Sequence, residues 1–187
     1  MPHPKRSESR RRPLTPTLSP QAGRGGRGAP KIEVLVRSTC WRTEPGAENT
    51  VKKAIRAAAK AVSTPPAELA IVLGDDSAIR ALNRKWRGQN APTNVLSFPA
   101  AASSKGLPAS PYIGDIVIAY QTTAREAVAE GKPFNHHLTH LAVHGFLHLL
   151  GYHHDNDRDA EAMERLERRI LKRLAVPDPY APRDAQV

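Results

Sequence analysis

The chain has 187 residues, one cysteine and a formal net charge of +10 at pH 7. A single cysteine excludes an intramolecular disulfide framework and fits a reducing compartment, and no apolar run approaches the roughly 18 residues of a spanning helix. The N-terminus lacks the apolar core of a secretory signal, so a cytoplasmic protein without a membrane partner is expected, its excess positive charge suited to polyanions, nucleic acid first.

Residues 1–30 hold seven of the 28 basic residues and one acid, Glu8, so +6 of the net charge sits in that segment. Leu14 and Leu18 are its only large aliphatics, too few to offset the entropy of ordering the segment. A disordered basic tail is expected there. Its stretch PLTPTLSPQAGRG resembles translated intergenic repeats of bacterial genomes, which leaves open a start codon further downstream.

A strand is expected at Ile32–Val36, then a helix over Glu48–Val62, where Val51, Ala54, Ile55, Ala58 and Val62 recur at helical spacing. Pro65 and Pro66 stop that helix, and Leu69–Leu73 reads as a buried strand turned by Gly74. Asp75 or Asp76 can cap the next helix, which carries Ile79, Leu82 and Trp86 on one face. Asn94–Phe98 and Ile113–Ala119 read as an antiparallel strand pair joined by a loop rich in Ala, Ser, Pro and Gly over 100–111.

Three helices follow, over Thr122–Glu130, Asn135–Leu150 and Asp157–Leu174. The last has an acidic first turn and a basic last turn, which suits the helix dipole, and a stripe of Ala160, Met163, Leu166, Ile170, Leu171 and Leu174 for the core. Pro177, Pro179 and Pro182 mark a frayed C-terminus. The pattern predicts an α+β fold: a small mixed four-stranded sheet covered by about five helices. One domain is expected over 31–176, between the basic tail and a C-terminal tail over 177–187.

The stretch His144-Gly-Phe-Leu-His148-Leu-Leu-Gly-Tyr-His153-His154 carries the chemistry. Side chains at i and i+4 share a helix face, so His144 and His148 can converge on one ion. Gly151 ends the helix cheaply, and a histidine a few residues on can supply a third ligand. Three protein ligands with a fourth position open is the pattern of a catalytic zinc. A lone histidine on an apolar helix is an ordinary core or surface residue. Here the pair, the helix-ending glycine and the further histidine occur together, which places a metal site at the end of the His-rich helix. His140, one turn before His144, is a candidate to orient a ligand or a plain polar neighbour, and His136 and His137 are expected to be solvated.

Metzincin proteases share the His-x3-His-x5-His spacing but place a glutamate directly after the first histidine as general base. Gly145 stands there, so the protease mechanism lacks its proton acceptor.

HGFLHLLGYHHD (144–155) resembles the signature of the YbeY family of bacterial ribosomal RNA maturation factors. The blocks LNRKWRGQNAPTNVLSFP (82–99) and GDI (114–116) resemble the same family in order and separation, over roughly residues 31–175. The resemblance implies a zinc-dependent single-strand endoribonuclease acting in ribosomal RNA maturation, at the small-subunit 3′ end, and in ribosome quality control. It places one Zn2+ per chain on His144, His148 and His154, a functionally important arginine at Arg87, and single-stranded ribosomal RNA and the small ribosomal subunit as partners. The family's Gly-Tyr-Asp-His reads Gly151-Tyr152-His153-His154 here, so a carboxylate beside the site is missing, with Asp155 and Asp157 nearby.

Arg87 offers a planar cation able to clamp a phosphate with two hydrogen bonds. Asp115 is a candidate to orient a ligand or, the favoured reading, a strand-edge residue. Thr93, Asn94 and Ser97 can line the cleft, with loop hydrogen bonding the favoured role. A ribosome-associated RNA-binding factor with a purely structural metal is the competing class.

Overall fold

The structure is a computed structural model, and it describes residues 29–100 and 111–181. The expected basic tail, most of the loop over 100–111 and the last six residues lie outside that range.

The elements run β1 (Lys31–Val36), α1 (Ala47–Val62), β2 (Glu68–Gly74), α2 (Asp76–Arg87), β3 (Val95–Pro99), β4 (Tyr112–Ala119), α3 (Tyr120–Ala129), α4 (Phe134–Leu149) and α5 (Asp157–Arg173), with a short 3-10 turn at Thr39–Thr43. The strands form one sheet in the order β1-β2-β4-β3, the first two pairings parallel and β3–β4 antiparallel. The fold is therefore α+β with a mixed sheet and five α-helices, as the periodicities predicted. Asp75 is the cap of α2, accepting a hydrogen bond from Ala78 N at 2.9 Å. Asp76 turns instead to α3, where it accepts from Thr122 N and Oγ1 and pairs with Arg125.

Alternation along β4 divides the core. Ile116 and Ile118 face the main core with α1, α4 and α5, while Val117 and Ala119 face the smaller cluster under α2. Asp115 shares the α2 side by the same alternation, and Tyr112 donates its hydroxyl hydrogen to it. Helix α4 is enclosed on nearly every side: ten of its sixteen residues are buried, and the row His140, His144, His148 is only half-buried. Apolar neighbours thus hold the helix while its histidines keep a way out.

Two glycines set the approach of α4 to the sheet. Gly114 has φ +136°, and a Cβ there would lie 2.2 Å from the Phe98 carbonyl oxygen and 3.0 Å from Leu149 Cδ2. At Gly145 a Cβ would meet Ile116 Cγ2 at 2.9 Å and Ser97 Oγ at 3.1 Å. Ser97 Oγ already donates to the Gly145 carbonyl at 3.0 Å, so β3 touches the helix backbone between the two histidines.

Three expectations need correction. Trp86 does not join Ile79 in the core; it is 63% exposed, because α2 packs through Ile79 and Asn83, and position 86 lies one turn beyond that contact. His137 is 4% exposed rather than solvated, its Nε2 2.8 Å from Glu126 Oε2, which also accepts from Asn94 Nδ2. Residues 177–181 are not frayed: Lys132 Nζ donates to the Pro179 carbonyl, Arg168 pairs with Asp178 and lies 4.9 Å over the Tyr180 ring.

The Gly145 contact is testable. A Gly145→Val chain gains less than about 1 kcal/mol in helix propensity and pushes α4 off β3 and β4. It should lose about 1–3 kcal/mol of stability in urea unfolding. An unchanged midpoint would show that the helix does not press on the sheet there.

Candidate metal centre

One turn of α4 separates His144 from His148, and their Nε2 atoms lie 3.0 Å apart. Two neutral imidazole lone pairs that close repel unless a proton or a cation sits between them. For a tetrahedral zinc with Zn–N bonds of about 2.0–2.1 Å, ligand nitrogens stand about 3.3 Å apart, so the pair is near the spacing that ion imposes.

After Leu150 the chain reverses at Gly151, φ +85°, with Tyr152 N donating to the Leu147 carbonyl at 3.1 Å. The reversal carries His154 back over the helix. Its ring centroid lies 5.7 Å from that of His144 and 5.1 Å from that of His148. One ligand atom from each of His144, His148 and His154 falls within a 4.8 Å circle of mutual distances. His153 sits 6.0 Å from His148 by ring centroids and belongs to no group of three potential ligands among the described residues. Burial, then the neighbouring His144 and His154, push the His148 pKa down to about 4, so near neutral pH its imidazole is uncharged and offers a lone pair. A donor set of three imidazole nitrogens fits zinc.

Glu167 of α5 was not foreseen. It is fully buried, and its Oε1 accepts from His144 Nδ1 at 2.8 Å. That bond places the His144 proton on Nδ1 and leaves Nε2 as the lone pair facing His148. His140 Nε2 lies 3.5 Å from Glu167 Oε2, and Tyr180 donates its hydroxyl hydrogen to the same oxygen. Burial raises the Glu167 pKa, but the hydrogen bonds of His140 and His144 outweigh it and hold it down at about 2. Tyr180 is shifted upward by burial and then by the Glu167 charge. His140 therefore reaches the site both through Glu167 and by an edge-on ring contact with His144, centroids 6.1 Å apart, and the three form a second group of potential ligands. The sequence did carry a signal. Glu167 stands four residues after Met163 and three before Ile170, inside the apolar stripe of α5, and an acid in that place needs a buried partner.

The other candidates lie elsewhere. Asp155 is exposed and belongs to no cluster of potential ligands among the described residues. Asp115 is turned to the opposite face of the sheet from α4, since Ile116 takes the α4 face. Arg87 is exposed on the last turn of α2, and no carboxylate pairs with it among the described residues. Asn94 and Ser97 make the structural bonds already described. A hollow lined by His144, His154, Ala160, Met163, Glu164 and Tyr180 opens beside the three histidines.

Comparison with known proteins gives this arrangement a family. The family model described as endoribonuclease YbeY matches residues 37–175. This chain belongs to that family. A Rhodopseudomonas palustris protein (strain BisA53) named endoribonuclease YbeY is 58% identical over 159 residues, covering 83% of this chain and 92% of its own. A Nitrobacter hamburgensis relative of the same name is 55% identical over 161 residues, covering 83% and 84%. Among solved structures, the solution structure of a Thermotoga maritima protein matches with TM-score 0.50 and 22% identity over 81% of this chain and 99% of its own, a likeness of fold. The YbeY match ends at residue 175, so Tyr180, which bonds to Glu167, lies beyond it.

Removing Glu167's charge should loosen the metal without unfolding the chain. Glu167→Gln is expected to weaken zinc affinity about 10–100-fold in chelator competition, with far-UV circular dichroism unchanged. His148→Ala should abolish stoichiometric binding. Wild-type zinc affinity in Glu167→Gln would remove the carboxylate from the site.

Proposed function

We propose that this protein is a zinc-dependent endoribonuclease that cuts single-stranded RNA. Its place is the cytoplasm, in maturation of the small-subunit ribosomal RNA 3′ end and in ribosome quality control. The observation that carries the reading is the convergence of His144, His148 and His154 beside an open hollow, with a buried carboxylate fixing His144. Family membership supplies the reaction class, since the relatives bear the name endoribonuclease. The net charge of +10 suits a polyanionic substrate.

Each residue has a part that its position supports. His144, His148 and His154 would hold the ion, and Glu167 keeps His144 in the tautomer that can bind it. Zinc, when bound, would supply Lewis-acid chemistry at the phosphate or at the attacking nucleophile. Arg87 is exposed and has no carboxylate partner among the described residues, so its guanidinium can take a phosphate with two parallel hydrogen bonds. His154 is exposed as well, which suits a metal that must meet a substrate better than one enclosed for structure. The protease alternative loses further ground at position 145. That residue packs against Ile116 and Ser97, where a Cβ alone would already meet Ile116 Cγ2 at 2.9 Å and Ser97 Oγ at 3.1 Å.

Metal-defined protein should cut single-stranded RNA, cut a matched duplex poorly, and stop when zinc is chelated. Arg87→Ala is expected to keep fold and zinc and to lose about tenfold or more of the cleavage rate. Arg87→Lys should recover only part, because lysine is a point charge. Full activity in zinc-replete Arg87→Ala would remove Arg87 from the reaction. RNA binding without cleavage by any metal-loaded form would favour a ribosome-binding factor.

A further inference from the structure

A large aromatic ring left in water needs a reason. Trp86 is 63% exposed on the last turn of α2, against 3% for Trp41, the other tryptophan. Its ring centroid stands 6.1 Å from that of Phe98, tilted by 60°, and Lys85 Nζ lies 5.0 Å over the ring. Arg84, Lys85 and Arg87 share its turn of helix. Between Asp76 and Asp115 the chain contains no acidic residue at all, and none of those three cations has an ion-pair partner among the described residues. Arg80, one turn earlier, is tied to Asn90. The end of α2 thus presents an aromatic face within a ring of unneutralised positive charge.

Its location relates it to the histidines. Phe98 and Pro99 end β3, the edge strand, and Pro99 pairs with Gly114, whose Cα is packed on Leu149, the residue after His148. Trp86 therefore lies at the same end of the molecule as the metal centre, across the edge strand from it. A chain lying over that edge would meet Trp86 and Arg87 on one side and the histidines on the other.

We infer that Trp86 is a stacking platform for one nucleobase of single-stranded RNA, with Arg84, Lys85 and Arg87 holding the flanking phosphates. The inference rests on RNA being the substrate. Every base offers a π-face, so such a platform binds single strands irrespective of sequence, and a duplex keeps its bases stacked on each other and withholds them. Lys85, on its flexible stem, covers the ring by a cation–π contact until a base arrives, and can then pass to a phosphate. The surface accounts for a preference for single strands through binding, independently of the chemistry at zinc.

The test is a binding titration of the full chain, freed of metal so that nothing is cut, with a short oligoadenylate and with an abasic ribose-phosphate oligomer of equal length. Oligoadenylate should quench the exposed part of the tryptophan fluorescence, and the abasic oligomer should not. Trp86→Ala should weaken oligoadenylate binding about tenfold or more and leave abasic binding unchanged. Trp86→Tyr should retain most of the affinity, with the thermal midpoint of each variant recorded. Arg84→Gln with Lys85→Gln should flatten the salt dependence for both oligomers. If wild type binds oligoadenylate and Trp86→Ala, still folded, binds it equally, the platform is overturned while the RNA reading stands. If wild type binds neither oligomer, the RNA reading falls and takes the platform with it. Base-dependent binding by a protein that still cuts nothing once zinc is restored would keep the platform and overturn the nuclease.

Discussion

A carboxylate with no solvent contact is held under His144, and the site is built on that contact. Burying an ionised acid costs several kcal/mol unless hydrogen bonds replace its water. Glu167 has three polar groups directed at it, from His144, His140 and Tyr180. In return it removes a choice from His144. A free imidazole carries its proton on either nitrogen, whereas an imidazole donating from Nδ1 must present Nε2 to the other side. There it meets His148 Nε2 at 3.0 Å. The contact also joins α5 to α4, so the helix that completes the core orients His144 as well.

The rest of the fold serves to hold α4 still. A helix buried on almost every side cannot rotate without opening the core, and the glycine at 145 lets it come against β3 and β4 within contact of Ile116 and Ser97. Rotation of α4 by one residue would exchange the half-buried His144 and His148 for Val143 and Leu147 in one sense, or for Gly145 and Leu149 in the other. His154 is delivered by another device, the reversal at Gly151, and sits on an exposed segment. Two of the three histidines are thus fixed by a rigid element and one by a turn, which leaves one side of the cluster reachable.

Much of this was legible in the sequence because it rests on local patterns. Period-two and helical spacing gave the order of strands and helices, and the i,i+4 pair with Gly151 pointed to the histidines that the fold brings together. The failures share a physical cause: each depends on a partner far away in the chain. Glu167 reads as one more acid in a charged helix unless its place in the apolar stripe is weighed, and its partner His144 is 23 residues away. His137 looked like a polar residue at a helix start, but Glu126 of α3 receives it. Trp86 followed the helical period faithfully, yet α2 runs past the edge of the small cluster it covers and leaves the ring outside. Prolines suggested a frayed end, and Tyr180 returns to the site through Arg168, Asp178 and Glu167.

The central claim is that Glu167 sets the tautomer by which His144 meets the ion. Long-range 1H–15N correlation spectra of the zinc-loaded protein report it directly, because protonated, free and metal-bound imidazole nitrogens resonate apart. The account predicts a protonated Nδ1 and a metal-bound Nε2 for His144, with the Nδ1 proton signal displaced or lost in Glu167→Gln. A metal-bound Nδ1 on His144, or a His144 spectrum indifferent to zinc, would contradict it.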